Sequence, residues 1–291
     1  MSVFKHEYRA YTGRVTPLLS RVGVLVRYGF AEAWSSKITV ALFTLSMLPV
    51  LVYLIVIYLA NNPVARMVIM RGNPANLAIG AAFFLKVLVS QCWLALVVTA
   101  WIAPRLVSFD LSDNALPILL SHPISRFGYV FGKFIALFSS LSLVTWIPCL
   151  LLFAYQGYAS PKPWVADNLQ VAGGLLGGSV VWIVLLSMLG LALSSWVKWR
   201  VVATGIIFAA VFVPAGVGGV ASAILRTKWG LLLNLPVMMT QLWQRLLGVA
   251  EFNRIGKDLP NAAIVAMLLL ICFVCVVMLN ARIRAREVVR G

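Results

Sequence analysis

Six stretches of 20 or more mostly apolar residues run through this chain of 291 residues and restrict the folds open to it. They cover residues 38–60, 79–102, 130–155, 172–196, 201–224 and 261–280. A helix needs about 20 apolar residues to cross the roughly 30 Å hydrocarbon core of a bilayer. At 62% hydrophobic and 11% charged residues, the chain is also too apolar for a soluble domain. The sequence therefore predicts an all-α polytopic membrane protein with six transmembrane helices.

The basic residues between these stretches are distributed unequally, and this predicts an orientation. Alternate segments, beginning with the amino-terminal one, hold 15 Lys and Arg residues, whereas the intervening segments hold 8. The richer segments should face the cytoplasm, because cationic residues near a helix end resist translocation. We therefore expect a multi-pass protein of the cell (cytoplasmic or inner) membrane with both termini in the cytoplasm.

The net charge of +16 could indicate a nucleic-acid partner, but most of it flanks the spans. Membrane insertion and anionic lipid headgroups explain that placement more simply. We therefore predict the lipid bilayer as a partner and no nucleic acid.

The whole chain is predicted to be a single transmembrane domain. It comprises a cytoplasmic amphipathic region (1–37), the six-helix bundle (38–280) and a basic cytoplasmic tail (281–291). Within the first region, a helix from Pro17 to Lys37 places an aromatic-containing apolar face opposite a basic polar one. This pattern favours an N-terminal amphipathic interfacial helix in the headgroup layer. The alternative is a packed helix of a small soluble domain, which the short length of this region disfavours.

Residues 225–260 are predicted to form more than a simple loop before the last span. The segments Trp229 to Leu235 and Val237 to Val249 are apolar, with polar residues interspersed and a break at Pro236. The pattern predicts short re-entrant helices at, or dipping into, the outer membrane face. Irregular backbone at that depth is tolerated only against protein or a wet cavity.

Four positions within the spans are candidates for a transport pathway or a helix interface: Lys86, Gly173, Gly177 and Pro214. An intramembrane charge such as Lys86 is a functional hypothesis, although its side chain could instead snorkel outward. Glycines 173, 174, 177 and 178 form two overlapping small-x-x-x-small pairs, which allow close helix approach in lipid. Pro214 predicts a kink or break in the fifth span. Ordinary packing within the chain is the alternative for both of these features.

The cysteines and histidines do not indicate a metal or redox site. Cys272 and Cys275 form a C-x-x-C, but it lies inside a span without the polar support that a metal site requires. We interpret them as small packing residues.

The connection between the second and third spans predicts a short cytoplasmic helix. Asn114 can cap this helix, with Pro117 in its first turn, and the pair His122-Pro123 ends it. The helix would expose four apolar residues: Leu116, Ile118, Leu119 and Leu120. An exposed apolar surface of this kind favours docking of a protein partner.

The run LLSHPISRFGYVFGK (119–133) resembles the signature L-L-S-x-P-[IL]-S-R-x-x-[YL]-x-x-G-K of ABC type-2 membrane subunits. The plan of the chain is also similar, with a basic amphipathic helix, six spans and a re-entrant-looking segment before span six. The sequence departs from the family at Asn114-Ala115-Leu116-Pro117, where a Gly-Thr-Leu-Glu-like stretch is usual. The acidic and arginine residues that often precede that stretch are reduced to Asp110 and Asp113.

The resemblance implies that this segment is a coupling helix seated on a separate cytoplasmic ABC ATPase subunit. The implied docking residues are the polar Asp110, Asp113, His122 and Arg126 together with the apolar Leu116, Ile118, Leu119 and Leu120. The chain lacks G-x-x-x-x-G-K-[ST], so no cofactor is expected on it, and ATP and Mg are expected on the partner. The resemblance further implies a second membrane subunit, identical or paralogous, with spans one and five at their interface.

Three classes of function can be compared on these residues. The leading one is the non-catalytic membrane subunit of an ATP-driven transporter, with export as the direction. An ion-coupled carrier usually needs intramembrane carboxylates, yet all eight acidic residues fall outside the predicted spans. A membrane-embedded enzyme needs paired carboxylates, a His cluster or a Ser/His arrangement near the interface, and neither His6, near the start of the chain, nor His122 has a suitable acid at hand.

Overall fold

The computed structural model describes residues 17–62, 64–65, 79–112, 126–160, 163–250, 252–253 and 255–282. In these ranges the chain is helical and contains no strand. Within these described ranges, six helical segments are long and apolar enough to cross a membrane, which confirms the predicted number of spans and indicates a multi-pass membrane protein. The spans are Lys37–Asn61, Ala81–Ser108, Phe127–Ala159, Leu169–Trp196, Arg200–Ile224 and Asn261–Arg282.

The described helices carry the following labels, in chain order: α1 (Leu18–Trp34), α2 (Lys37–Asn61), α3 (Ala81–Ser112), α4 (Arg126–Val144), α5 (Trp146–Ala159), α6 (Trp164–Asp167), α7 (Leu169–Trp196), α8 (Arg200–Ile224), a 3₁₀ helix (Trp229–Leu233), α9 (Leu235–Leu247) and α10 (Asn261–Arg282). The third span therefore consists of two helices, α4 and α5, which meet at Thr145. Proline at position i clashes with the carbonyl of residue i−4, and Pro148 stands four residues after Val144, where α4 ends.

Helix α7 is the centre of the bundle and packs most extensively on α3. Their backbones approach closely at Gly190, where an added Cβ would lie 2.9 Å from Cβ of Ala103 and 3.0 Å from a methyl group of Thr99. By contrast, α2, α8 and α10 bury few of their residues, and many of their apolar side chains are exposed. A surface of that kind is stable in lipid rather than in water, which agrees with a bilayer environment.

The chain before the last span forms two short helices, the 3₁₀ helix and α9, close to the predicted pair. The break lies at Asn234, however, and not at Pro236. Pro236 occupies the first turn of α9, where its missing N–H is tolerated, and the side chain of Asn234 accepts a hydrogen bond from the backbone N–H of Val237 at 3.1 Å. Arg245 and Gln241 then hold the following loop by donating to backbone carbonyls of residues 253–259.

The fifth span is continuous through Pro214, so the predicted break does not occur there. Instead, Gly218 allows the 3₁₀ helix to pack on α8, since an added Cβ would overlap the carbonyl oxygen of Gly230. The glycines after Pro214 therefore include a close contact within the chain.

A candidate docking end of the bundle

Basic side chains from several helices lie at one end of the bundle, which we call the basic end. It includes Lys133 of α4, Arg200 at the start of α8 and Arg282 at the end of α10. The guanidinium carbon of Arg200 lies over the Trp101 ring, 4.8 Å from its centroid. The Nε–H of Arg282 donates to the carbonyl oxygen of Ser195 at 3.3 Å. The first residue of α2 and the two ends that flank residues 113–125 belong to the same end. The structure thus brings together residues from the alternate segments that are rich in basic side chains.

At the basic end, α1 packs on α4 through small residues. An added Cβ at Gly132 would lie 3.0 Å from Cβ of Leu25, and one at Gly29 would lie 3.1 Å from Cβ of Ala136. Ala33 is fully buried beside this contact. Much of the predicted apolar face of α1 is therefore covered by α4 and its neighbours.

Two polar contacts fasten the same pair of helices. The ammonium of Lys133 lies 3.3 Å from a carboxylate oxygen of Glu32, and the indole N–H of Trp34 donates to the hydroxyl of Ser140 at 3.2 Å. The Lys133 side chain is only 8% exposed. A charge that is almost buried is stable only when it is paired, so this contact fixes the register of α1 on α4. We call these contacts, with the glycine contacts above, the α1–α4 lock.

The predicted docking segment lies between two helix ends that the structure describes. Helix α3 continues to Ser112, beyond the end of the span at Ser108, and α4 begins at Arg126. Asp110 is thus in the last turn of α3 and Arg126 is the first residue of α4, but their side chains are not among the described ones. The remaining docking residues lie outside the described residues: Asp113, Leu116, Ile118, Leu119, Leu120 and His122. Their contacts therefore stay a prediction.

Lys86 is exposed on the outer face of α3, away from the centre of the bundle. The span that contains it is longer than the predicted 79–102, since it extends to Ser108. Because α3 begins at Ala81, Lys86 lies in its second turn, near the end opposite to the basic one, rather than at mid-span. A lysine at such a depth can snorkel to the headgroups, which weakens the case for a charge within a pathway.

The two glycine pairs of α7 face different surroundings. Gly174 and Gly178 pack against α9, where an added Cβ would lie 2.9 Å from the Leu246 carbonyl oxygen and 2.7 Å from the Trp243 ring. Among the described residues, no atom of a neighbouring helix lies within 4 Å of a Cβ added at Gly173 or Gly177. Of the positions predicted for a pathway or interface, these two are therefore open, while Pro214 is half-buried within α8.

The partner of Lys133 was not identifiable from the sequence. Glu32 lies 101 residues earlier and belongs to the polar face of α1, and no local spacing links the two. The described residues contain no group of three or more His, Cys, Asp or Glu side chains placed to hold a metal.

No family model matches the sequence, and no curated protein matches it either. The resemblance of residues 119–133 to ABC type-2 membrane subunits therefore stays a prediction.

The α1–α4 lock gives a first testable result. Glu32→Gln should lower the free energy of unfolding by about 1–2 kcal/mol, because it removes a carboxylate from a nearly buried ammonium while Glu32 itself is partly exposed. Combining it with Lys133→Met should recover part of that loss, as a double-mutant cycle in purified protein would measure. Lys198→Met, at an exposed position, serves as the control. Equal unfolding of Glu32→Gln and the wild type would show that the ion pair contributes nothing.

Proposed function

We propose that this protein is the membrane-spanning subunit of an ATP-driven transporter of the ABC type-2 class, working as an exporter. The observation that carries the proposal is the run 119–133, whose last two residues, Gly132 and Lys133, form part of the α1–α4 lock. The motif-bearing segment thus leads directly into a contact between two helices at the basic end. A displacement of that segment would therefore move α4 and α1 together.

In this proposal a separate cytoplasmic ATPase subunit binds ATP and Mg and supplies the free energy of ATP hydrolysis. It seats the segment between α3 and α4 in a groove, with Leu116, Leu119 and Leu120 as the apolar anchor and Asp110 and Arg126 at the rim. Closure of the ATPases on ATP would move this segment, and the bundle would change between inward- and outward-accessible states. Support comes from the continuous helices on both sides of the segment, since rigid elements transmit displacement.

The proposed orientation places the basic end in the cytoplasm. Helix α1 then lies at the cytoplasmic end of the bundle alongside α4, and the 3₁₀ helix and α9 form the re-entrant element at the outer face. A second copy or a paralogue completes the transporter. The exposed apolar faces of α2 and α8, the first and fifth spans, leave surface available for such a partner.

The experiment is purification of the tagged full-length chain from its native membranes. We expect a nucleotide-binding subunit to co-purify and to hydrolyse Mg-ATP, and we expect transport in vesicles to stop when ATP is depleted. Transport that persists on a proton or sodium gradient after ATP depletion would contradict the proposal and favour an ion-coupled carrier. Catalytic turnover by the chain without a partner, lost on His122→Ala, would favour a membrane enzyme instead.

A further inference from the structure

A groove opens between α4 and α10 at the basic end of the bundle. Both helices pack on α7 but make no extended contact with each other, so the outer face of α7 forms the floor. The groove contains a cavity of about 360 Å³. This volume lies in the range of roughly 300–1,000 Å³ that is typical of sites for small molecules.

The lining of the groove is almost entirely apolar and comes from three helices: Phe127, Phe131 and Phe134 of α4, Met188 of α7, and Val276 and Leu279 of α10. The three phenylalanine rings stack in succession along α4, with centroid distances of 5.7 Å and 6.5 Å. The Phe127 side chain remains 75% exposed. An elongated apolar channel with one aromatic and one aliphatic wall fits a hydrocarbon chain, which makes no polar contacts.

The mouth of the groove is polar and basic. Asn280 belongs to the lining, and Arg282, two residues later, places its guanidinium against the Ser195 carbonyl oxygen and 5.8 Å from the Trp196 ring centroid. Among the described side chains of the basic end, the carboxylate is that of Glu32, and it is paired with Lys133. The charge at the mouth therefore favours an anion.

We infer that the groove binds an anionic phospholipid of the bilayer, with one acyl chain between α4 and α10 and the phosphate at the basic mouth. An apolar groove with Asn280 and the guanidinium of Arg282 at its mouth matches the two parts of such a lipid, and basic pockets between spans are typical of lipid headgroup sites. The inference does not depend on the proposed ATPase partner. It requires only the bilayer environment and the geometry of α4, α7 and α10.

The test uses the purified full-length protein in vesicles that contain a photoactivatable phosphatidylglycerol, with its label on the acyl chain, or the corresponding phosphatidylcholine. We expect labelling of peptides that contain residues 127–134 and 276–280, several-fold stronger with phosphatidylglycerol. Val276→Trp should reduce the labelling about tenfold, because the indole fills the channel. Val277→Trp is the matched control, since Val276 and Val277 are both 49% exposed but only Val276 lines the cavity.

A second variant and a competition measurement keep the test independent of folding defects. Arg282→Gln should reduce the preference for phosphatidylglycerol while acyl-chain labelling remains. In the wild type, excess unlabelled phosphatidylglycerol should compete with labelling of the groove but not of the outer face of α10. Labelling that is spread evenly along α10 and cannot be competed, or equal labelling by both lipids, would overturn the inference.

Discussion

The double substitution Gly174→Ala/Gly178→Ala is expected to detach α9 from the bundle and to destabilise the protein by several kcal/mol. An added Cβ at Gly174 would lie 2.9 Å from the carbonyl oxygen of Leu246, a backbone atom that cannot rotate away. At Gly178 it would lie 2.7 Å from the ring of Trp243, whose indole N–H also donates to the Gly178 carbonyl at 3.1 Å. Overpacking costs about 1–3 kcal/mol per site, which exceeds the gain of about 1 kcal/mol in helix propensity.

The matched control is the same pair displaced by one residue, Gly173→Ala/Gly177→Ala. Both positions are open, so only the propensity gain remains and stability should stay the same or increase. Thermal unfolding of both double variants in one detergent measures the difference, with a lower melting temperature expected only for Gly174→Ala/Gly178→Ala. Equal melting temperatures for the two variants would contradict the packing of α9 on α7.

Leu119→Asp and Arg126→Glu are expected to abolish association with the proposed ATPase subunit while membrane insertion stays normal. A carboxylate at position 119 would place a charge without a partner in the docking groove of the ATPase subunit. Reversal of the charge at position 126 would remove a contact at the rim of that groove. Loss of an interface hot spot costs about 2 kcal/mol or more, so the co-purified ATPase should decrease by more than about tenfold. The measurement is the amount of ATPase and of Mg-ATP hydrolysis recovered with each variant at equal membrane yield.

Ile255→Asp is the control for this experiment. Ile255 is an exposed apolar residue of the loop between α9 and α10, at the end opposite to the basic one. Its substitution should leave ATPase recovery unchanged. Full recovery with both Leu119→Asp and Arg126→Glu would exclude residues 113–125 as the docking segment.

The spans could be predicted from the sequence because a single energetic term, the exclusion of polar groups from lipid, determines them. Four spans begin and end within three residues of the predicted bounds, and the third begins three residues earlier and ends four residues later than predicted. The second is longer, because Pro104 and Arg105 interrupt the apolar pattern but not the helix, which continues to Ser112. The break predicted at Pro236 lies at Asn234 instead, because a proline can end a helix or occupy its first turn, and the sequence pattern alone does not distinguish the two.

Contacts between distant segments could not be predicted in the same way. The spacing of the four α7 glycines is equally compatible with either pair at an interface, and only the position of α9 distinguishes them. Likewise, nothing local to Lys133 indicates Glu32 as its partner. The residues of the docking segment itself lie largely outside the described ranges, so their role depends on the sequence pattern alone.

The most direct test of the central claim is photo-crosslinking from position 119 in living cells. A photoreactive amino acid at position 119 of the full-length protein should yield a covalent adduct with an ATP-binding polypeptide, and the same residue at position 255 should not. An adduct at position 119 that contains no nucleotide-binding protein, or labelling of position 119 by a membrane-impermeant reagent from outside the cell, would contradict the proposal.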